Sequence, residues 1–350
     1  MITDARALRP DFLPRDLHHR DGHIDHLSAV LAPSALDQAE DVCLFGPSGG
    51  KTTLAKYTIS QLEREVLDFR WGYVNCMADN SRAAVLHECV REIGLGADLK
   101  REGTHSSRAL DRLRRCEDQI ILVLDEIAVL DEQPLLALWE VPNVSLVCIT
   151  IDEDEWFTAL SSQAKSRMQS AATIRLDKYS HGELVDILES RIAHGLIGSR
   201  VDDSAVESIA DLAAGDARRA IAILRRAADR VETRELRRLT TGVVDDVVED
   251  AEAEMRERRV RSLGTHQRLL YQIIDEAGEI GAATLHQRYE ARSSSPKSRP
   301  SRRRYLKSLR QYDLIETTGR GRRLGTVHWD NRQTAPFPFT PVHVPFIGRI

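Results

Sequence analysis

Gly46-Pro47-Ser48-Gly49-Gly50-Lys51-Thr52-Thr53 follows the apolar run Val42-Cys43-Leu44-Phe45 and precedes the helix-compatible Leu54-Ala55-Lys56-Tyr57. Glycines at the end of a strand let successive main-chain N–H groups turn toward one point. A helix start adds its unpaired N–H groups and partial positive charge, so this order of residues describes a cradle for phosphate. Lys51 would bring an ammonium to the outer phosphates, and Thr52 a hydroxyl to a phosphate-bound Mg²⁺. Gly46, Pro47, Ser48, Gly49, Gly50, Lys51, Thr52 and Thr53 are therefore the candidate nucleotide-binding residues. The loop is one residue shorter than the usual G-x-x-x-x-G-K-[ST], whose first glycine would fall at Phe45. The pattern fits if a residue has been lost between Ser48 and Gly50.

A second element is Ile120-Ile121-Leu122-Val123-Leu124-Asp125-Glu126. An apolar run of this kind reads as a buried parallel strand that delivers its last carboxylates to the sheet edge where such folds bind ligands. Asp125 is expected to hold Mg²⁺ opposite Thr52, and Glu126 to orient an attacking water. Taken alone an apolar strand ending in Asp-Glu is common. Downstream of Gly50-Lys51-Thr52 in an alternating pattern it points to an α/β P-loop fold with ATP and Mg²⁺ as cofactors.

The elements that would position these residues alternate regularly. Strands are expected at Val42–Phe45, Trp71–Asn75, Ile120–Leu124, Ser145–Thr150 and Thr173–Leu176. Helices are expected at Thr52–Glu65, Ser81–Gly94, Ser107–Cys116 and Gln133–Trp139. Strands separated by helix-length stretches imply a parallel sheet. Residues 1–178 are assigned to this α/β domain with its leading segment, and 179–260, where apolar residues recur only at helical spacing, to a helical lid. Residues 261–330 follow as a three-helix unit with a two-strand pattern around Gly319-Arg320-Gly321, and 331–350 as a Pro-rich tail.

Composition sets outer bounds. The 350 residues carry 42% hydrophobic and 29% charged side chains with a net charge of −5, the profile of a globular protein of more than one domain. No apolar run approaches the ~18 residues that read as a membrane span. The first residues lack an apolar core behind their charges, so a secretory leader is not expected and a cytoplasmic location is. Five scattered cysteines with no C-x-x-C pair read as reduced core residues. The charge is unevenly spread: residues 292–323 hold eleven Lys/Arg against two acidic residues, leaving about −14 on the rest of the chain. A basic segment on an acidic body suggests a local anionic partner.

That segment reads as the business end of a winged helix. In Ser301-Arg302-Arg303-Arg304-Tyr305-Leu306-Lys307-Ser308-Leu309-Arg310 the helical spacing turns Tyr305, Leu306 and Leu309 inward and the arginines onto an open face. Arg299, Arg302, Arg303, Arg304 and Lys307 are the candidate contacts to duplex DNA from this helix, with Arg320, Arg322 and Arg323 from the wing.

Several stretches resemble the archaeal origin-recognition and cell-division-control replication initiators, which are AAA+ ATPases. They are Phe12 to Arg20, Tyr73-Val74-Asn75-Cys76, Leu124-Asp125-Glu126-Ile127, Gly215-Asp216-Ala217-Arg218-Arg219-Ala220, and Pro296-Lys297-Ser298 through Tyr312-Asp313-Leu314-Ile315-Glu316. The resemblance runs in family order from Asp11 to Trp329. It implies an AAA+ domain, a helical lid and a C-terminal winged helix. It further implies a switch set by ATP binding, with at most slow hydrolysis, and duplex origin-like DNA as partner. A second copy of the chain or a replicative helicase is left open as protein partner. The resemblance also assigns roles: Arg218 is similar to the lid arginine that reaches the γ-phosphate, and Asp152 stands at the first sensor, where the family usually has asparagine. Gln163 replaces the family's late arginine, leaving Arg167 as a candidate finger toward a neighbouring subunit. A carboxylate at Asp152 would repel phosphate unless protonated or paired. With the short loop, this keeps open a second reading, a DNA-binding paralogue or regulator whose nucleotide site is degenerate and does not hydrolyse.

Overall fold

The computed structural model describes residues 1–10, 12–14, 16–32, 39–47, 49–65, 69–77, 80–99, 105–318 and 323–326. Five strands, β1 (Val42–Phe45), β2 (Phe69–Asn75), β3 (Gln119–Asp125), β4 (Val144–Ile149) and β5 (Ala172–Arg175), form one parallel sheet in the order β2-β3-β4-β1-β5. β1 and β3 both pair with β4, with Leu44 opposite Ile149 and Asp125 opposite Ile149. This register places the glycine loop after β1 and the carboxylates after β3 at one C-terminal edge, where crossover connections leave room for a ligand.

Both faces of the sheet are covered, which is why the strands read as unbroken apolar runs. Along β3, Ile120, Leu122 and Leu124 point into one core with Phe45, Cys148 and the helices Arg82–Glu92 and Ser106–Arg114. Ile121 and Val123 point to the other face, against Leu54 and Ile59 of helix Lys51–Glu65 and Leu27 and Leu31 of helix Asp21–Leu31. Four of the five cysteines are buried and all are free thiols. Each expected strand and helix of this domain is present within a few residues. Two further helices, Glu153–Ala159 and Ser162–Gln169, occupy the connection between β4 and β5.

The lid consists of helices His181–Gly195, Asp203–Ala213, Ala217–Thr233, Thr241–Asp245 and Val248–Ser262 around their own core of Leu184, Leu188, Ile209, Leu224 and Val231. Ser180 and Glu183 close a reciprocal capping box at its first helix, fixing where the chain leaves the sheet. The first eight residues pack here too: Met1 and Leu8 join the lid core, and the buried Arg191 donates to the Ala7 carbonyl at 2.9 Å.

The C-terminal unit has helices Thr265–Ala277, Ala282–Arg292 and Arg299–Gln311 and an antiparallel sheet of β6 (Glu279–Gly281), β7 (Ile315–Thr318) and β8 (Arg323–Thr326) in the order β6-β8-β7. Three helices followed by this sheet are compatible with the expected winged helix, with β6 a third strand too short to leave an alternation signal. Ser298 caps the basic helix, accepting from the Ser301 N–H, and Pro300 sits in the first turn, where its missing N–H costs nothing. The unit does not stand apart. Leu270, Ile273, Tyr305 and Leu309 belong to the same continuous core as β3 and β4, so the winged helix is docked on the ATPase domain.

Candidate nucleotide site and winged-helix interface

The glycine loop folds tightly despite its short length. Gly46 has a φ of +119°, and a Cβ there would lie 2.0 Å from the Leu176 carbonyl oxygen. Gly50 has a φ of +86°, and a Cβ there would lie 3.0 Å from the Tyr179 hydroxyl. Only glycine tolerates such backbone approaches. Lys51 opens the helix and is buried, its ammonium donating to the carbonyls of Gly46 at 2.5 Å and Pro47 at 2.8 Å. Burial lowers its pKa, opposed by the nearby carboxylates of Glu126 and Asp125.

At the end of β3, Thr52 Oγ1 donates to Asp125 Oδ2 at 2.7 Å and Tyr73 Oη donates to the same oxygen at 2.9 Å. Asp125 Oδ1 accepts from the Glu126 N–H at 2.9 Å. Glu126 adopts a left-handed conformation, φ 60° and ψ 41°, which swings its side chain away from the strand direction. Burial first, and Asp125 next, push its carboxyl up to about 7. A hydroxyl and a carboxylate converging on one point are hard oxygen donors that suit Mg²⁺ beside phosphate.

One cavity gathers Gly50, Lys51, Thr52, Asp125 and Glu126 with Arg218 of the lid. Arg218 opens helix Ala217–Thr233, where Asp216 caps the helix by accepting from its N–H at 2.8 Å. The turn before it is fixed by Gly215, whose φ of +87° places a virtual Cβ 2.9 Å from the Tyr179 carbonyl. The Tyr179 N–H in turn donates to the Gly215 carbonyl. Arg218 is exposed, yet its charge acts on both Lys51 and Glu126 across the cavity. Pro10, Pro14 and Leu17 form an apolar end suited to a base.

Three supporting residues lie in stretches that carry the resemblance, yet the sequence assigned them no role. Arg20 is buried, stacks over the Tyr179 ring at 4.0 Å, and donates to the carbonyls of Gly49 at 3.2 Å and Asp177 at 2.9 Å. It braces the short loop from behind. Tyr73 fixes Asp125. Tyr312, from the end of the basic helix, lines the cavity beside Glu126.

Other expected residues stand elsewhere. Asp152 is exposed, and the cavity wall at that point is Ile151; Asp152 instead acts on the charge of Lys307 in the winged helix. Arg167 is exposed and paired with Asp41 at 3.3 Å. Gln163 lies exposed on the same helix. Ser48, Arg320 and Arg322 lie outside the described residues, as does the side chain of Arg323.

The basic helix corrects the expectation of an open arginine face. Tyr305, Leu306 and Leu309 are buried as expected, and Arg299 and Arg303 are exposed. Arg302 is 3% exposed, bonded to Glu290 at 2.8 Å and stacked near the Tyr289 ring. Arg304 reaches across to the ATPase domain, donating to the Leu130 carbonyl at 3.1 Å and pairing with Asp131. Tyr305 donates to Asn80 at 2.9 Å. Helical spacing shows which face is apolar, and another domain covers part of the polar face here.

Residues 37–153 match the AAA domain and residues 185–251 match the Cdc6 AAA+ ATPase-type lid domain. ORC1-type DNA replication protein 9 of Halobacterium salinarum is 34% identical over 326 residues, 92% of each chain. ORC1-type DNA replication protein 1 of the same organism is 37% identical over 303 residues, covering 85% of this chain and 98% of the relative. The chain belongs to the ORC1-type DNA replication proteins. The structure of the Aeropyrum pernix ORC1 protein in complex with DNA matches this ORC1-type chain with a TM-score of 0.68 at 26% identity over 93% of both. The A. pernix ORC2 protein in its ADPNP–ADP complexes shares the fold, with a TM-score of 0.63 at 23% identity over 93% of this chain and 94% of that one. The replication-initiator type, the AAA+ domain and the lid inferred from the sequence thus agree with the relatives. Among the described residues, no helix is long and apolar enough to cross a membrane.

Proposed function

We propose that this ORC1-type chain binds duplex DNA at origin-like sites through its winged helix and uses ATP binding, with slow or no hydrolysis, as a switch. The observation that carries the reading is the convergence of Lys51, Thr52, Asp125, Glu126 and Arg218, drawn from two domains, on one cavity. The glycine-loop N–H groups and the Lys51 ammonium would hold phosphates, and Arg218 would read the outermost one from the lid. Thr52 and Asp125 would hold Mg²⁺, which supplies positive charge against the phosphate oxygens when bound. Glu126 would orient water, and a carboxyl titrating near neutrality can take up its proton. Support for the DNA partner comes from the relative whose structure contains DNA, and from the exposed Arg299 and Arg303 on the helix that would read it.

A second reading, a regulator that binds nucleotide without turning it over, is favoured by one observation. Asp152 is exposed and acts on the charge of Lys307 while Ile151 lines the cavity, so among the described residues this position supplies no polar first sensor to the cavity. A finger role for Arg167 toward a neighbouring protomer would first require its pair with Asp41 to open. Equilibrium titration with labelled ATP and Mg²⁺, with and without duplex DNA, tests the switch. Nucleotide affinity that is absent, or indifferent to DNA, would refute it, and tight binding without phosphate release would select the second reading.

A further inference from the structure

The basic helix ends at the nucleotide cavity. Tyr312 is the residue that closes helix Arg299–Gln311, its N–H donating to the Ser308 carbonyl at 3.1 Å and its carbonyl accepting from Arg259 at 3.0 Å. Its side chain leaves the winged helix and lines the cavity beside Glu126 and Arg218. The hydroxyl is buried there beside the Glu126 carboxyl, and burial together with that carboxyl raises its pKa. Beside the apolar core shared with the ATPase domain, polar contacts hold the helix in place: Arg304 on Leu130 and Asp131 and Tyr305 on Asn80, with Lys307 near enough to Asp152 to feel its charge. Arg304 and Lys307 are cations that a DNA backbone would also attract.

We propose that Tyr312 is a positioning residue through which the winged helix and the nucleotide cavity sense each other: docking seats it over Glu126, and release of the helix to DNA withdraws it. This rests on the functional reading above. In the docked arrangement the ring lines the cavity beside Glu126, where water would be oriented, Arg304 is paired on the ATPase domain, and Lys307 lies within reach of the Asp152 charge. Undocking uncovers Glu126 and frees both cations together. Because the two events are one motion, coupling is reciprocal: DNA that takes the helix must favour the uncovered cavity, and nucleotide that displaces Tyr312 must favour the helix that can meet DNA.

The test uses the full chain and two substitutions, Tyr312→Ala, which removes the ring, and Tyr312→Phe, which keeps it. Amide hydrogen exchange of the segments Ile127–Leu130 and Arg299–Gln311 reads docking without requiring either ligand. Fluorescence anisotropy with a labelled random-sequence duplex, with and without MgATP, reads coupling. The expected result is faster exchange in both segments by about tenfold for Tyr312→Ala, with DNA affinity raised several-fold and made insensitive to MgATP, while Tyr312→Phe restores the wild-type pattern. Unchanged exchange in Tyr312→Ala would overturn the proposal. So would a MgATP response of DNA affinity as large in Tyr312→Ala as in wild type, or a Tyr312→Phe protein that behaves like Tyr312→Ala. If the wild type binds no ATP or no DNA, the functional reading fails by itself, and exchange still decides whether Tyr312 seats the helix.

Discussion

Thr52 Oγ1 donates a 2.7 Å hydrogen bond to Asp125 Oδ2 across 73 residues of sequence. The pair joins the end of the glycine loop to the end of β3 and marks where phosphate-bound metal would be shared between them. Its existence shows that the loop, though short, delivers its last residues to the expected place.

Lys51 is the loop's buried cation, so Lys51→Ala removes the side-chain charge that now rests on the loop's own carbonyls. ATP affinity should fall by about 100-fold or more, on the order of 3 kcal/mol. Calorimetric titration of MgATP checks this; equal affinity in the variant would mean the loop does not hold the nucleotide.

Gly46→Ala should destabilise the fold itself. Its Cβ would meet the Leu176 carbonyl oxygen at 2.0 Å in a backbone conformation that L side chains rarely adopt. A loss of about 2–4 kcal/mol is expected, read as a lower urea midpoint with little change in slope. Stability within error of wild type would show that the loop relaxes around the methyl group.

Arg20→Met retains much of the side chain's bulk and deletes both of its donors, leaving the buried Gly49 carbonyl short of a partner. Stability should drop by about 1–3 kcal/mol. MgATP affinity should fall with it, because the loop loses its rear support. Wild-type affinity in a variant of lowered stability would limit Arg20 to a structural role.

Arg299 and Arg303 are exposed cations of the basic helix, as is Arg310 near its end, unlike Arg302, which is buried against Glu290. Replacing both with alanine should weaken duplex binding and reduce the slope of log K against log salt by about 1 for each phosphate that is no longer neutralised. Arg302→Ala should instead act on thermal stability. A salt slope untouched by the double substitution would remove this helix from the DNA interface.

Thiol chemistry offers an independent check on packing. Cys43, Cys76, Cys89 and Cys148 are buried and Cys116 is partly open; burial pushes the Cys89 thiol up to about 12. A maleimide at neutral pH should modify at most one cysteine in the native protein and all five after denaturation. Rapid native labelling of two or more would contradict the core described for the sheet.

The strands and the helices beside them were legible because burial on both faces writes a continuous apolar run, as in Ile120 to Leu124, and because glycines mark where β1 must turn. Arg218 was legible through the short Gly215-Asp216-Ala217-Arg218 stretch. Arg20, Tyr73 and Tyr312 fall inside stretches that carry the resemblance, but nothing in those stretches singled out their roles. Each reaches the site through tertiary packing from a distant element, and an arginine or tyrosine at such a position looks like any other. Arg302 and Arg304 were misplaced for a related reason: a helical wheel distinguishes apolar from polar faces, and only the docked domains decide which polar face meets water.

The Gly215–Tyr179 contact also sets the leverage of the lid. It pins the start of helix Ala217–Thr233 to the segment that enters the lid, three residues before Arg218, so Arg218 lies close to the pivot of any rotation of that helix about this point. A change of angle there would shift the arginine by little while sweeping the far end of helix Ala217–Thr233, about 25 Å away at 1.5 Å per residue, through a much longer arc.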